Sequence, residues 1–224
     1  LQLIAMITML IDHLGATFFQ NEGWMRIVGR IAFPIYCYLL VVGYKRTRSK
    51  PRYAFRLFIL ALISQLPFMF AFTTTGVNVI ATLLVALLIV MAIDYFKGQP
   101  WLQWAVGLLL IAATYAPMAM LKFDYATYGV LLVLIYRYMP NAWAMVGGHL
   151  VLNILLGNSI QFFSLTTTLL IAIIHSAAPE VRTEVRLPRW LWRAFYPAHL
   201  ALIALIEWQL YGAGYEYNLA EIFT

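Results

Sequence analysis

Apolar runs of helical length recur from one end of this chain to the other, each closed by a short junction rich in Gly, Pro or polar residues. Such runs cannot all be packed in water. Of 224 residues, 63% are hydrophobic and 11% charged, with a mean hydropathy of +0.82, whereas a soluble domain carries about a quarter charged residues. The expected fold is all-α, a polytopic transmembrane helix bundle of about nine spans (eight to nine). Candidate helices fall near 3–19, 24–44, 53–72, 78–96, 101–117, 125–139, 142–157, 161–177 and 190–212. Those near 101–117 and 142–157 are short enough to be re-entrant or tilted. No repeat, linker or low-complexity tract divides residues 1–224, which read as one domain.

The first run is expected to be a retained span, since no small-x-small cleavage site follows it. The single cysteine, Cys37, falls inside the second run. It excludes an intrachain disulfide and reads as packing.

Nine spans divide the basic residues unequally. One side holds twelve: Lys45, Arg46, Arg48, Lys50, Arg52, Arg56, Lys97, Arg137, Arg182, Arg186, Arg189 and Arg193. The other holds three, Arg26, Arg30 and Lys122. Positive charge is retained in the cytoplasm, so the N-terminus is expected there and the C-terminus outside.

Ionisable groups inside apolar runs are costly and usually face a partner or a cavity. Asp12 and His13 lie in the middle of the first run. They point about 100° apart, so each must meet a different neighbour. Arg26 and Arg30 lie one turn apart in the second run, and one or the other is the natural partner of the Asp12 carboxylate. The plainer reading is a buried pair that only locks two spans.

By depth, His13, His149 and His199 fall near the middle of their helices and Arg30 about a turn further out. Each histidine has a plainer reading as an interhelical hydrogen-bonding group; together they suggest one polar cavity. Pro34, Pro67 and Pro197 remove backbone donors from the carbonyls of Arg30, Ile63 and Arg193, two of them beside ionisable residues. Asn153 shares a face with His149 at i,i+4. Asp124, with Tyr128, stands where a helix near 125 opens; its plainer reading is the N-cap of that helix. No G-x-S-x-G, H-E-x-x-H or phosphate-binding glycine loop occurs, and no metal site is expected.

The run Ile7-Thr8-Met9-Leu10-Ile11-Asp12-His13-Leu14-Gly15-Ala16 resembles the opening of the TraX family. Further matches are Arg26 to Pro34, Gly43 to Arg48, Tyr53 to Leu57, Ile63 to Phe68, Asn78-Val79, Asp124 to Val130 and Phe195 to Leu200. About 80–120 matches only as apolar sequence. The resemblance implies a bacterial cytoplasmic (inner) membrane enzyme that moves acetyl from acetyl-CoA to an amine or hydroxyl. The acceptor would be a pilin-like N-terminus or another envelope molecule.

His13 is then the expected catalytic base, with Asp12 and Arg30. Arg26, Asp124, Tyr128, His149, Asn153 and His199 are expected to line the acceptor site. Lys45, Arg46, Arg52, Arg56 and Arg193 would hold the CoA phosphates. Membrane lipids and the acceptor are the expected partners, with no nucleic acid. The alternative is a small proton-coupled transporter or lipid flippase using Asp12, His13 and His149 as a relay.

The orientation is testable with cysteines at Ser49 and Thr224 in a Cys37→Ser background. An impermeant thiol reagent should label Thr224→Cys in intact cells and leave Ser49→Cys untouched; labelling at Ser49 would overturn the assignment.

Overall fold

The structure, a computed structural model, describes residues 1–20, 22–177 and 187–212. Asn21, Pro179, Arg182, Arg186 and the chain beyond Gly212, Thr224 included, lie outside the described residues. Within them the chain forms α1 (Gln2–Thr17), α2 (Gly23–Gly29), α3 (Ala32–Arg46), α4 (Lys50–Phe72), α5 (Val79–Tyr95), α6 (Pro100–Met120) and α7 (Ala126–Tyr138). Then follow α8 (Ala142–Leu156), a 3-10 turn (Gln161–Ser164), α9 (Leu165–Ala177) and α10 (Arg189–Tyr211). No strand occurs among the described residues beyond one isolated bridge, Val77 to Phe123.

Three stretches are long and apolar enough to cross a membrane: Gly23–Arg46, α4 and α6. The other apolar helices are shorter.

Two helix expectations are corrected. The run 24–44 is not continuous, because the helical pattern breaks at Arg30 and Ile31. Pro34 cannot donate to the Arg30 carbonyl, and just before it the backbone tightens, with Arg30 N bonding Ile27 O at 3.1 Å and Ile31 N bonding Val28 O at 3.2 Å. Conversely, the run 101–117 does not stop at Pro117 but continues to Met120, making α6 a 21-residue helix.

Helices α3, α5 and α7 make the centre, burying Cys37, Leu87, Leu132 and Val133 among them. A second apolar cluster joins α1, α4 and α10 through Met9, Phe68, Leu200 and Ile203. The flanks of α4 and α6 present Phe55, Leu62, Leu66, Leu108 and Leu109 outward, as expected where lipid is the solvent. This is an all-helical membrane protein. At one end Asp94 on α5 pairs with Arg137 on α7 at 2.8 Å and accepts a bond from Tyr138 Oη at 2.9 Å.

At the other end two loops are stapled: Val77 N donates to Lys122 O at 3.2 Å and Asp124 N to Val77 O at 2.9 Å. Asn78 anchors that end. Its Oδ1 caps α5, accepting from Ile80 N at 3.0 Å and Ala81 N at 3.3 Å. Its Nδ2 donates to Ala61 O at 2.9 Å and Gln65 Oε1 at 2.7 Å on α4. Replacing Asn78 with Ala should therefore cost the cap, about 0.5–2 kcal/mol, and also strand buried groups on α4. Thermal unfolding in detergent should show a larger loss than Asn141→Ala, whose side chain caps only the exposed start of α8.

Candidate functional site

A cavity of about 470 Å³ opens between α1, α2, α3 and the stapled loops, lined by Asp12, His13, Arg26, Arg30, Asp124 and Tyr125 among apolar neighbours. Asp12 is its electrostatic centre. Its Oδ1 lies 3.1 Å from Arg26 Nη1 and 3.0 Å from Arg30 Nη2. Arg26 Nη1 also donates to the Asp12 carbonyl at 3.2 Å, and Arg30 Nε to the Arg26 carbonyl at 3.1 Å. The two arginines are thus braced against one carboxylate and one another. Gly29 makes the approach of α2 to α1 possible, since a Cβ there would overlap the Asp12 carboxyl.

His13 points to α10. Its Nδ1 lies 2.8 Å from His199 Nε2, and His199 Nδ1 lies 2.6 Å from the Phe195 carbonyl. The two rings are within 15° of parallel with centroids 5.0 Å apart, the separation that near-coplanar rings reach edge to edge. Phe72 meets the His13 ring edge-on at 5.0 Å.

Asp124 does not cap a helix. The residue before α7 is Tyr125, left-handed at φ 59° and without a side-chain cap bond. The Asp124 backbone is held by Thr82 Oγ1, which donates to its carbonyl at 2.6 Å, while its carboxyl lines the cavity. Burial in the loop pushes that carboxyl up to about 6, against the opposing pull of Arg30. Tyr125 stacks on Phe33 at 3.7 Å and holds its ring 5.7 Å from the Arg30 guanidinium.

His149 and Asn153 share a face, as their i,i+4 spacing suggested, and Tyr128 joins them, but not on the cavity wall. They sit in a sealed network behind it. Tyr128 Oη lies 2.9 Å from both His149 Nε2 and Asn153 Oδ1. His149 Nδ1 lies 2.6 Å from Thr168 Oγ1, and the Thr168 and Tyr136 hydroxyls are also bonded. Gln161 connects the two regions: its Nε2 donates to Tyr128 Oη at 3.1 Å, and Arg30 Nη1 donates to its Oε1 at 3.3 Å. Gln161, Ser164 and Thr168 were absent from the sequence reading. They are buried and spaced i, i+3, i+7 in an apolar run, a polar stripe on one helical face that could have revealed them.

A second hollow of about 860 Å³ lies between α3, α4, α10 and the start of α1. Arg46, Arg56 and Arg193 border it; Lys45 and Arg52 do not. The backbone N–H of Arg52 is used by the Ser49 cap at 3.4 Å, and Lys45 lies instead near Arg137 and Asp94. Between the hollows Tyr36, on the cavity wall, stacks on Trp192, on the groove wall, with centroids 4.9 Å apart.

The chain is 28% identical over 241 aligned positions to the probable fimbrial assembly protein FimC, serogroup H1, of Dichelobacter nodosus, covering 91% of this chain and 92% of the relative. No solved structure matches the fold. The sequence profile of the family described as TraX protein matches residues 1–207, and the chain belongs to the TraX family.

Proposed function

We propose that this protein is an inner-membrane acetyltransferase that moves acetyl from cytoplasmic acetyl-CoA to an amine or hydroxyl acceptor on the outer side. The observation that carries this reading is the pairing of a histidine-and-arginine cavity with an arginine-bordered groove across one aromatic stack. Acetyl transfer from a thioester needs a base at the acceptor and a donor for the oxyanion.

His13 takes the acceptor proton as the nitrogen or oxygen attacks the acetyl carbon. Arg30 faces the developing oxyanion, its position held by Asp12, Gln161 and Tyr125. Collapse breaks the C–S bond, and the departing thiolate takes the proton back from the imidazolium. Arg46, Arg56 and Arg193 hold the phosphates of CoA, whose slim arm reaches His13 once Tyr36 and Trp192 part. The name of the Dichelobacter relative favours an acceptor of the pilin class, a protein N-terminal amine.

A transporter would use the same two hollows but would leave the thioester intact. Release of free thiol from acetyl-CoA by the purified protein therefore separates the two readings.

His13→Gln keeps size and hydrogen bonding but removes the base. It should lower turnover about 10²–10⁴-fold, with thermal stability and acetyl-CoA affinity retained; normal turnover would return His13 to a packing role. Arg56→Gln with Arg193→Gln should weaken acetyl-CoA binding and flatten its salt dependence. Calorimetric titration at two ionic strengths measures both effects, and unchanged binding would remove these residues from the cofactor site.

A further inference from the structure

We infer that His199 is a positioning residue which fixes the tautomer of His13, so that the Nε2 of His13, and not its Nδ1, is the basic nitrogen facing the cavity. The inference rests on the acetyl-transfer reading for its purpose but on hydrogen-bond direction for its content.

A backbone carbonyl only accepts. His199 Nδ1, 2.6 Å from the Phe195 carbonyl, must therefore carry a proton. In a neutral imidazole the other nitrogen is then the acceptor. His199 Nε2 is 2.8 Å from His13 Nδ1, so the proton in that contact belongs to His13 Nδ1. His13 Nε2 is left with its lone pair, and it has no hydrogen-bond partner among the described residues.

Reversing this chain would require a doubly protonated His199. Its surroundings oppose that charge. It is 6% exposed, stacked on Phe195 at 4.6 Å and edge-on to Tyr196; of the two carboxyls that line the cavity, Asp12 is shared by two arginines and Asp124 faces Arg30, and neither pairs with His199 among the described residues. An imidazolium without a counterion in an apolar bundle is costly.

The near-coplanar contact does a second thing. It holds the His13 ring from one edge while Phe72 holds it from the side, leaving one nitrogen and one orientation for the acceptor. A second-layer partner of this kind is worth about 10–100-fold in activity where measured for histidine ligands of metals.

The test uses the full-length chain in detergent with 15N-labelled histidine. Ring nitrogen shifts, assigned by the loss of signals in His13→Gln, should show His13 protonated at Nδ1 and bare at Nε2 near neutral pH. A His13 protonated at Nε2, or at both nitrogens, overturns the inference without any variant being needed. His199→Phe should release His13 to the Nε2-protonated form and lower kcat about 10–100-fold, leaving KM for acetyl-CoA unchanged. His199→Gln, whose side-chain oxygen can reach the place of Nε2, should recover most of that loss. A rise in KM with unchanged kcat would instead make His199 a substrate contact and overturn the inference. A wild-type chain with the expected tautomer but no thiol release sinks the acetyl-transfer reading alone.

Discussion

One carboxylate sets the terms for the whole site. Asp12 lies in the middle of an apolar helix, where an isolated carboxylate charge would cost several kcal/mol. The structure meets that cost with two guanidinium groups rather than one. A pair would be neutral; the trio keeps a net positive charge, and that excess is what the rest of the site is built around. Arg30, already bonded to Asp12, extends its remaining valences to Gln161 and toward the Tyr125 ring. Through these bonds the carboxylate on α1 fixes α2, the 3-10 turn and the loop before α7.

The loop pays for this in backbone strain, since Lys122, Tyr125 and Ala126 are all non-glycine residues with positive φ, at 50°, 59° and 34°. Such conformations persist only where surroundings over-determine them. Here the surroundings are the staple to Val77, the Thr82 bond and the Phe33 stack. The result is a cavity wall whose loops are held from several sides by hydrogen bonds and ring contacts.

What the sequence revealed follows from how local each signal was. Arg26 and Arg30, one turn apart and following an Asp in the preceding run, marked themselves as the cations within its reach, because helical spacing puts both on one face, but not that both would bind the one carboxylate. Pro34 marked the freed carbonyl of Arg30, because a missing N–H acts on its own helix, but not that the helix would break there. The plainer reading of Asp124, as a cap, fails because its i+1 neighbour takes a left-handed conformation that no local propensity demands of tyrosine. The bond between His13 and His199 spans 186 residues; depth could place both at one level, but not the ring edges that meet. The helix ending at Pro117 was misplaced for the opposite reason: a breaker tolerated in lipid-facing α6, where neighbouring groups can re-satisfy the backbone.

The stack of Tyr36 on Trp192 has a meaning apart from catalysis. A bundle with two arginine-bordered hollows on either side of one ring pair is in danger of becoming a pore. An energised membrane drives each elementary charge with about 2.3 kcal/mol per 100 mV, and arginines lining both hollows would pass anions if water joined them. Two flat rings face to face form the thinnest insulator side chains can make: apolar across its breadth and only two ring layers deep. The protein thus keeps its two hollows apart, at one point, by a single pair of stacked rings.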